Sequence, residues 1–427
     1  KYDLFLIIFI FCLTHSIQSL TTSGTSSRIK AHLLKLNSME SDQSERVVVC
    51  GGGIVAASIA YHLTKKGIKP IVIERSKIGA AASGKAGGFL ARDWGSGSTS
   101  QLHTKSFDLH EKLANELNIE SYRKIPTLSV QVGKKGKNVA SWLDRQATST
   151  LMDNNTAQVT PMELTQKLMS AAKENGAEFM IGTVSDIEME DSENTGKLKK
   201  IKSVVLESGE TIACSIVIVA MGPWSVLAEE WFNIPIPMEG IKSTSLVYKD
   251  MEDIKNEPYA LFCSEDTNGC HLEVYPRPNG EVYICGCGGS DYVNAGRLKK
   301  GGDCSKPELI KEDEKRVEAA GKSFGTISNL GKDLKPSLVQ SCMRPCPPDG
   351  LPIMGKVPNV EGAYICAGHN CWGILWAPIS GLAMSELVKD GFSETIDLTP
   401  FSPSRFMNLK EGKRGKKVGQ ISVGEQW

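Results

Sequence analysis

A chain of 427 residues with 41% hydrophobic content is long enough to bury one large core or two connected ones. Lysine plus arginine and aspartate plus glutamate are equal at 49 each, so no long-range field favours nucleic acid or an acidic membrane, and neither is expected as a partner. The 12 cysteines include no CxxC pair and the 7 histidines do not cluster with them, so no metal site is expected and most thiols read as reduced, buried small hydrophobes.

Leu4 to Leu13 (LFLIIFIFCL) is too short to span a bilayer but suits the apolar part of a secretory signal, although no clean A-x-A pattern follows it. Met39, shortly before the first strand, is the alternative start of translation. Residues 1–45 therefore read as a leader or signal-like segment, and no transmembrane span is expected. The cysteine usage favours the cytoplasm, with endomembrane entry if the Leu4–Leu13 segment acts as a signal.

From Arg46 to Arg75 the chain reads RVVVCGGGIVAASIAYHLTKKGIKPIVIER. Val47 to Val49 is a β-branched run suited to a buried parallel strand, and it stops at Gly51-Gly52-Gly53. Good helix formers follow from Ile54 to Lys66, with apolar residues at Val55, Ile59 and Leu63 and Gly67 placed for a left-handed end. Pro70 to Ile73 makes a second strand, closed by Glu74. This βαβ unit of roughly thirty residues can cradle a dinucleotide. Gly51 permits the tight turn, Gly53 admits a pyrophosphate close to the backbone, and Ala56 lets helix and strand pack closely. The helix start offers free N–H groups and a positive dipole end. Glu74 is placed to accept ribose hydroxyls and, with no basic cluster nearby, suits FAD or NAD better than NADP.

Ser76 to Ser100 is rich in small residues interrupted by Phe89, Leu90 and Trp94, and reads as a lining for a flat ligand. A helix is expected from Thr104 to Leu117, a strand from Tyr122 to Val132, and a helix from Pro161 to Asn175 with Thr160 as its N-cap. Strands follow at Ala177–Gly182, Val184–Met189 and Ile201–Glu207. Ile216 to Ala220, apolar on both faces, returns the chain to the parallel sheet and ends at Gly222-Pro223-Trp224-Ser225, so the dinucleotide domain is discontinuous. From Ile234 to about Gln340 the pattern alternates, with strands at Lys242–Tyr248, Tyr259–Cys263, His271–Pro276 and Glu281–Cys287, an Asn279-Gly280 hairpin and a helix over Leu309–Phe324. This second region reads as antiparallel with helices on one face, supplying a substrate-facing wall. In Ser341–Leu387 the expectations are a proline-rich turn holding Cys342 and Cys346, a strand at Tyr364–Cys366, a tight loop from Gly368 to Gly373 and a helix from Ala377. Beyond Pro400 the polar, basic tail reads as solvated.

The segments VVVCGGGIVAASIAYHL ending in IER, ASGKAGG, VIVAMGPWS, RPCPPDGLPIMG and GHNCWGILWAPISG together resemble the FAD-dependent oxidoreductases of the D-amino acid oxidase, glycine oxidase and sarcosine oxidase family. The resemblance runs from Arg46 to Val388 and is strongest to little-characterised oxidoreductases of plants and fungi. It implies an α/β fold. A discontinuous Rossmann-like FAD-binding domain would comprise residues 46–100, 156–233 and 341–392. A mainly antiparallel α+β substrate domain would comprise 101–155 and 234–340, followed by a tail, 393–427.

The resemblance also implies site roles. Gly51, Gly53 and Ala56 would face the pyrophosphate, with Gly52, Ile54 and Val55 beside them, and Glu74 the ribose, with Arg75 next to it. Ala56 departs from the usual third glycine, a change that a methyl group makes tolerable. Ser83, Gly87 and Gly88 would run along the phosphates and flavin ring, Val184 near the adenine, and Gly222 and Trp224 would close the adenosine side. Gly368, His369, Gly373 and Ile374 would lie under the flavin's pyrimidine edge, where a helix start stabilises negative charge. Arg344 would fork onto a substrate carboxylate. Tyr275 and Tyr283 could hydrogen-bond the same group, packing as hairpin aromatics being the alternative. The C-M-x4-P-D spacing at Cys342 is similar to that of the cysteine tethering flavin in monomeric sarcosine oxidase, but the intervening residues differ, so FAD is expected to be non-covalent.

The implied reaction is oxidation of the C–N bond of a small amino acid or N-methyl amino acid by hydride transfer to flavin, with molecular oxygen or another electron acceptor as second partner. Alternatives are an FAD-stabilised assembly or trafficking factor with little turnover, and an NAD-linked dehydrogenase.

Overall fold

A computed structural model describes residues 46–192 and 198–408; Leu4–Leu13, Met39 and the basic stretch from Lys410 to Lys417 lie outside the described residues. The opening β-branched run forms the strand Val47–Cys50 at the centre of a six-stranded sheet. Ile71–Glu74 and then Glu178–Ile181 lie parallel on one side, and Ile216–Val219 and Ala363–Ala367 parallel on the other. Ile353–Lys356 closes the edge in the antiparallel sense.

Because successive side chains of a strand point to opposite faces, the central strands feed two cores. Val47, Val49, Val72 and Ile218 pack under the helices Ile54–Lys65, Ser100–Glu116, Pro161–Glu174 and Gly373–Asp390. Val48, Cys50, Ile71, Val217 and Val219 pack on the other side against Ile187, Ile201, Val204 and Ile212 of a smaller sheet. Ile54–Lys65 is buried nearly all round, which is why its sequence is apolar on every face. Gly67, at φ +82°, ends its last turn as expected.

The second large sheet has eight strands, antiparallel except where Thr127–Val132 runs parallel to Ala260–Cys263, with Glu239–Tyr248 and Leu338–Cys346 paired along nearly their whole length. One face carries Leu128, Val130, Leu246, Val274 and Ile284 against the helix Glu314–Ile327. The other carries Val247, Ala260, Tyr275 and Tyr283, with Phe89, Phe262 and Cys285 beside them.

Several local expectations change. Tyr122–Val132 is two strands, because Ile125 donates to Thr156 and Pro126 cannot donate at all, sending Arg123–Lys124 to a separate three-stranded sheet. Thr160 stands at the start of its helix, but its side chain makes no cap hydrogen bond. The helix expected from Leu309 starts at Glu314, where the Asp313 side chain accepts from the N–H groups of Lys315 and Arg316. Cys342 and Cys346 lie in a strand, since that backbone is paired with Glu239–Tyr248 rather than turning. The last helix begins at Gly373, and the tail as far as residue 408 packs down, with Phe401 and Phe406 buried.

Asn370–Asp390 is long and apolar enough to cross a membrane, yet 72% of its most apolar stretch is buried inside the protein, as a core helix should be. Pro378 lies inside it and has no N–H to give the carbonyl of Ile374. The Nε2 of His110 fills the gap, 3.1 Å from the carbonyl oxygens of Ile374 and Leu375. Ser106 Oγ donates to the Leu375 carbonyl and accepts from Ile379 N at 3.2 Å. Burial lowers the pKa of His110 to about 4, so the ring is neutral with its proton on the splinting nitrogen.

His62 and His369 are likewise pushed down by burial, to about 4 and about 3. Between these values and an unfolded pKa near 6.5 the unfolded chain binds more protons, so each ring contributes stability that is complete above about pH 6.5 and is lost as the pH falls. The expected outcome is a denaturation midpoint that drops between pH 7.5 and 5.5, at roughly 1 kcal/mol per ring for each pH unit below 6.5. Glu74, whose pKa is raised by burial, acts in the opposite sense. Urea titrations of the purified protein at three pH values measure the slope; a flat midpoint would show that burial does not hold the rings neutral.

Candidate active site

One long cleft, enclosing about 2070 Å³ between its atoms with the open mouth included, runs from the ends of the parallel strands to the antiparallel sheet. Nearly all the residues singled out in the sequence line it. Gly51 to Val55 form its floor beside Glu74 and Arg75, and Ser83, Gly87 and Gly88 lie above them. Val184, Gly222 and Trp224 border one end, while Gly368, His369, Gly373 and Ile374 meet Tyr275, Tyr283 and Arg344 at the other. Ala56 is the exception: it is 0% exposed beneath the floor, serving helix packing rather than ligand contact.

The glycine turn is shaped by close approach. Gly51 has φ +116°, its N–H donates to Ile73 O at 2.7 Å, and a Cβ there would stand 2.4 Å from Ala220 O. Gly52 N donates to Glu74 Oε2 at 2.6 Å and Ser76 N to Oε1 at 2.9 Å, so the carboxylate braces the turn it was expected to follow. Burial raises the Glu74 pKa, against the pull of these two N–H donors and of Arg75. Ser83 Oγ accepts from Ile54 N at 2.9 Å at the start of the first helix. Val55, in that helix's first turn, has no carbonyl four residues back inside it, so its N–H is open to an anion. At the end bordered by Trp224 the Arg75 guanidinium lies 5.1 Å over the Trp224 ring, whose Nε1 donates to Cys304 O at 3.0 Å.

At the opposite end the loop after Ala363–Ala367 turns through Gly368, φ +79°, where a Cβ would meet Pro347 Cγ at 2.5 Å. His369 is buried and neutral, with Nε2 3.0 Å from Ser380 Oγ. The helix Gly373–Asp390 then begins with its N-terminus at the cleft. Facing it, Arg344 projects from the antiparallel sheet among Cys371, Cys346, Glu273 and Cys285. Burial works against its charge, but the fields of these groups outweigh that and raise its pKa.

Sequence reasoning missed Glu273, Phe262 and Trp372, which also line the cleft. Glu273 was findable: in a strand it shares a face with Tyr275, two residues on. Phe89, Phe262 and Tyr275 build an aromatic wall, Phe89 stacked on Tyr275 at 5.3 Å and edge-on to Phe262 at 5.1 Å. The Cys342 thiol is buried, which raises its pKa and leaves it a poor nucleophile.

A glycine turn, an acid-braced second strand and a second glycine loop meeting in one cleft with an arginine define an α/β dinucleotide-binding protein whose cleft is closed by a second, mainly antiparallel sheet. The chain belongs to the DAO family of FAD-dependent oxidoreductases, which matches residues 46–387. An oxidoreductase of Schizosaccharomyces pombe is 26% identical over 400 residues, covering 83% of this chain and 97% of that protein. The glycine oxidase of Geobacillus kaustophilus is 24% identical over 409 residues, covering 84% and 96%. The crystal structure of that glycine oxidase has a TM-score of 0.67 at 20% identity, covering 84% of this chain and 98% of the other. L-amino acid deaminase from Proteus vulgaris gives 0.70 at 17%, covering 85% and 97%. The fold is thus that of the amino-acid-oxidising flavoproteins, and the cofactor is FAD.

Proposed function

We propose that this FAD-dependent oxidoreductase oxidises the C–N bond of a small amino acid or N-methyl amino acid. The supporting observation is that Arg344, on the antiparallel sheet, faces the Gly368–Ile374 loop across the cleft that holds the glycine turn. The backbone of Gly51 to Val55, with Glu74 and Arg75, would hold the pyrophosphate and ribose. The loop and helix start at Gly373 would meet the flavin. FAD, when bound, supplies the hydride acceptor.

The chain's own residues provide alignment and dryness. The Arg344 guanidinium forks onto the substrate carboxylate and sets the direction of the Cα–H bond. Phe89, Phe262 and Tyr275 exclude water from that end of the cleft. Tyr275 and Tyr283 both have pKa values raised well above the ordinary phenol by burial, so they remain hydrogen-bond donors at any working pH. A neutral amine can expel hydride without separate proton abstraction, and the imine product hydrolyses in water. Two of the boundaries read from the sequence shift: the helix Ser100–Glu116 packs on the parallel sheet and Leu338–Cys346 pairs within the antiparallel one, so residues 46–116, 156–233 and 347–392 would carry the cofactor, and 117–155 and 234–346 the substrate wall.

The visible spectrum of the purified protein, before and after anaerobic addition of a panel of amino and N-methyl amino acids, tests this reading. A flavin spectrum that one compound bleaches is the expected result. A flavin spectrum that nothing in the panel bleaches would overturn the substrate class and favour a role in assembly or trafficking.

A further inference from the structure

Glu273 opens the strand Glu273–Pro276 and stands in register with Cys285 on one side and Phe262 on the other. Its Oε2 accepts from the Tyr275 hydroxyl and from Cys285 Sγ at 3.3 Å, while no described residue donates to Oε1. It lines the main cleft and also an outer groove formed with Ser129, Gln131, Ser264 and His271. Glu74 is the other acid in the cleft, but it is at the cofactor turn and engaged by backbone N–H groups. Beside Glu273 stand the rings of Phe262 and Tyr275, 6.0 Å apart. A carboxylate in a cleft beside aromatic rings is chemistry for a cation.

Across the sheet, the strand of Glu273 is followed by Val282–Cys285, Glu239–Tyr248 and then the strand of Arg344. Three strand spacings of about 4.8 Å separate the two strands by roughly 14 Å, Arg344 stands four positions along its strand from the residue in line with Glu273, and the long side chains bring the two charges near enough to act on each other. Even with both side chains reaching inward, that spacing suits a cation several carbons away from a carboxylate held at Arg344.

We propose that Glu273 is a specificity-determining residue that receives a second, cationic nitrogen, making the substrate an amino acid with an ammonium-bearing side chain that extends toward the outer groove. This rests on the amine-oxidation reading and narrows its substrate class. Glu273→Gln keeps the shape and an acceptor for the Tyr275 hydroxyl while removing the charge; Glu273→Asp keeps the charge.

The test compares anaerobic flavin reduction by ornithine and by its uncharged counterpart norvaline, both enantiomers of each, in wild type and both variants. In parallel, perturbation of the flavin spectrum measures binding of δ-aminovalerate and of valerate, which pair the same carboxylate with and without the distal cation. Wild type is expected to favour ornithine, and to bind δ-aminovalerate more tightly than valerate, by about tenfold or more. Glu273→Gln is expected to erase both ratios, and Glu273→Asp to restore part of them. Equal handling of the charged and uncharged compounds, with norvaline reducing the flavin, overturns the cation site and leaves amine oxidation standing. A Glu273-dependent preference for δ-aminovalerate with no reduction by any amino acid keeps the cation site and overturns amine oxidation.

Discussion

Arg344→Ala is expected to retain FAD and lose amino-acid-dependent flavin reduction, with kcat/KM falling on the order of a thousandfold, as removal of a desolvated, hydrogen-bonded charge partner typically costs 3–5 kcal/mol. The residue is held by the long pairing of Leu338–Cys346 with Glu239–Tyr248, so its loss does not disturb the glycine turn at the far end of the cleft. The field of Glu273, which helps to raise the Arg344 pKa, is then uncompensated and disfavours an incoming carboxylate. Arg344→Lys keeps a charge without the planar fork and should fall between, roughly ten- to a hundredfold below wild type. Stopped-flow reduction under anaerobic conditions, with the flavin-to-protein absorbance ratio recorded first, separates lost chemistry from lost cofactor. Undiminished reduction in Arg344→Ala would sink the assignment of the carboxylate site.

Gly51→Ala is expected to yield protein that purifies without yellow colour. The added methyl would stand 2.4 Å from Ala220 O and 2.9 Å from Ala220 C, both backbone atoms of the chain leaving the neighbouring strand. The backbone at φ +116° lies where an L side chain is strained, and its N–H is tied to Ile73 O at 2.7 Å, so the turn cannot swing aside. The clash must therefore be relieved by spreading the two strands that support the glycine turn proposed to hold the cofactor, at a cost of a few kcal/mol in stability. Gly67→Ala is the matched control: φ is also positive at +82°, but a Cβ there meets nothing within 4 Å, so about 1 kcal/mol is lost and FAD is retained. Flavin content after purification and after refolding with added FAD measures both variants. A yellow Gly51→Ala protein of normal stability would mean that the turn is more plastic than its contacts indicate.

Local chemistry explains what could be read in advance. The opening βαβ unit announces itself through a β-branched run, three glycines, helical spacing and a closing acid, all set by near neighbours in the chain. The RPCPPDG and GHNCWG segments were legible through the family resemblance that they carry, which implied roles for Arg344 and for the loop from Gly368 to Gly373. Ala56, which spacing marks as a helix-packing position and the resemblance as a neighbour of the pyrophosphate, is fully buried. Cys342 and Cys346 looked like turn residues because prolines surround them. Only the distant partner Glu239–Tyr248 makes that segment a strand.

What the sequence by itself determined is therefore the cofactor turn, the family and the presence of Arg344. The tertiary structure decided what Arg344 confronts. Alternation in a strand says that Glu273 and Tyr275 share a face, but when Val274 is also buried, nothing local says which face meets solvent, helix or ligand. Strand order across the antiparallel sheet settles it, placing Glu273 beside Phe262 and three strands from Arg344. Such a juxtaposition depends on pairings between segments far apart in the chain, and so exists only once the whole sheet has formed.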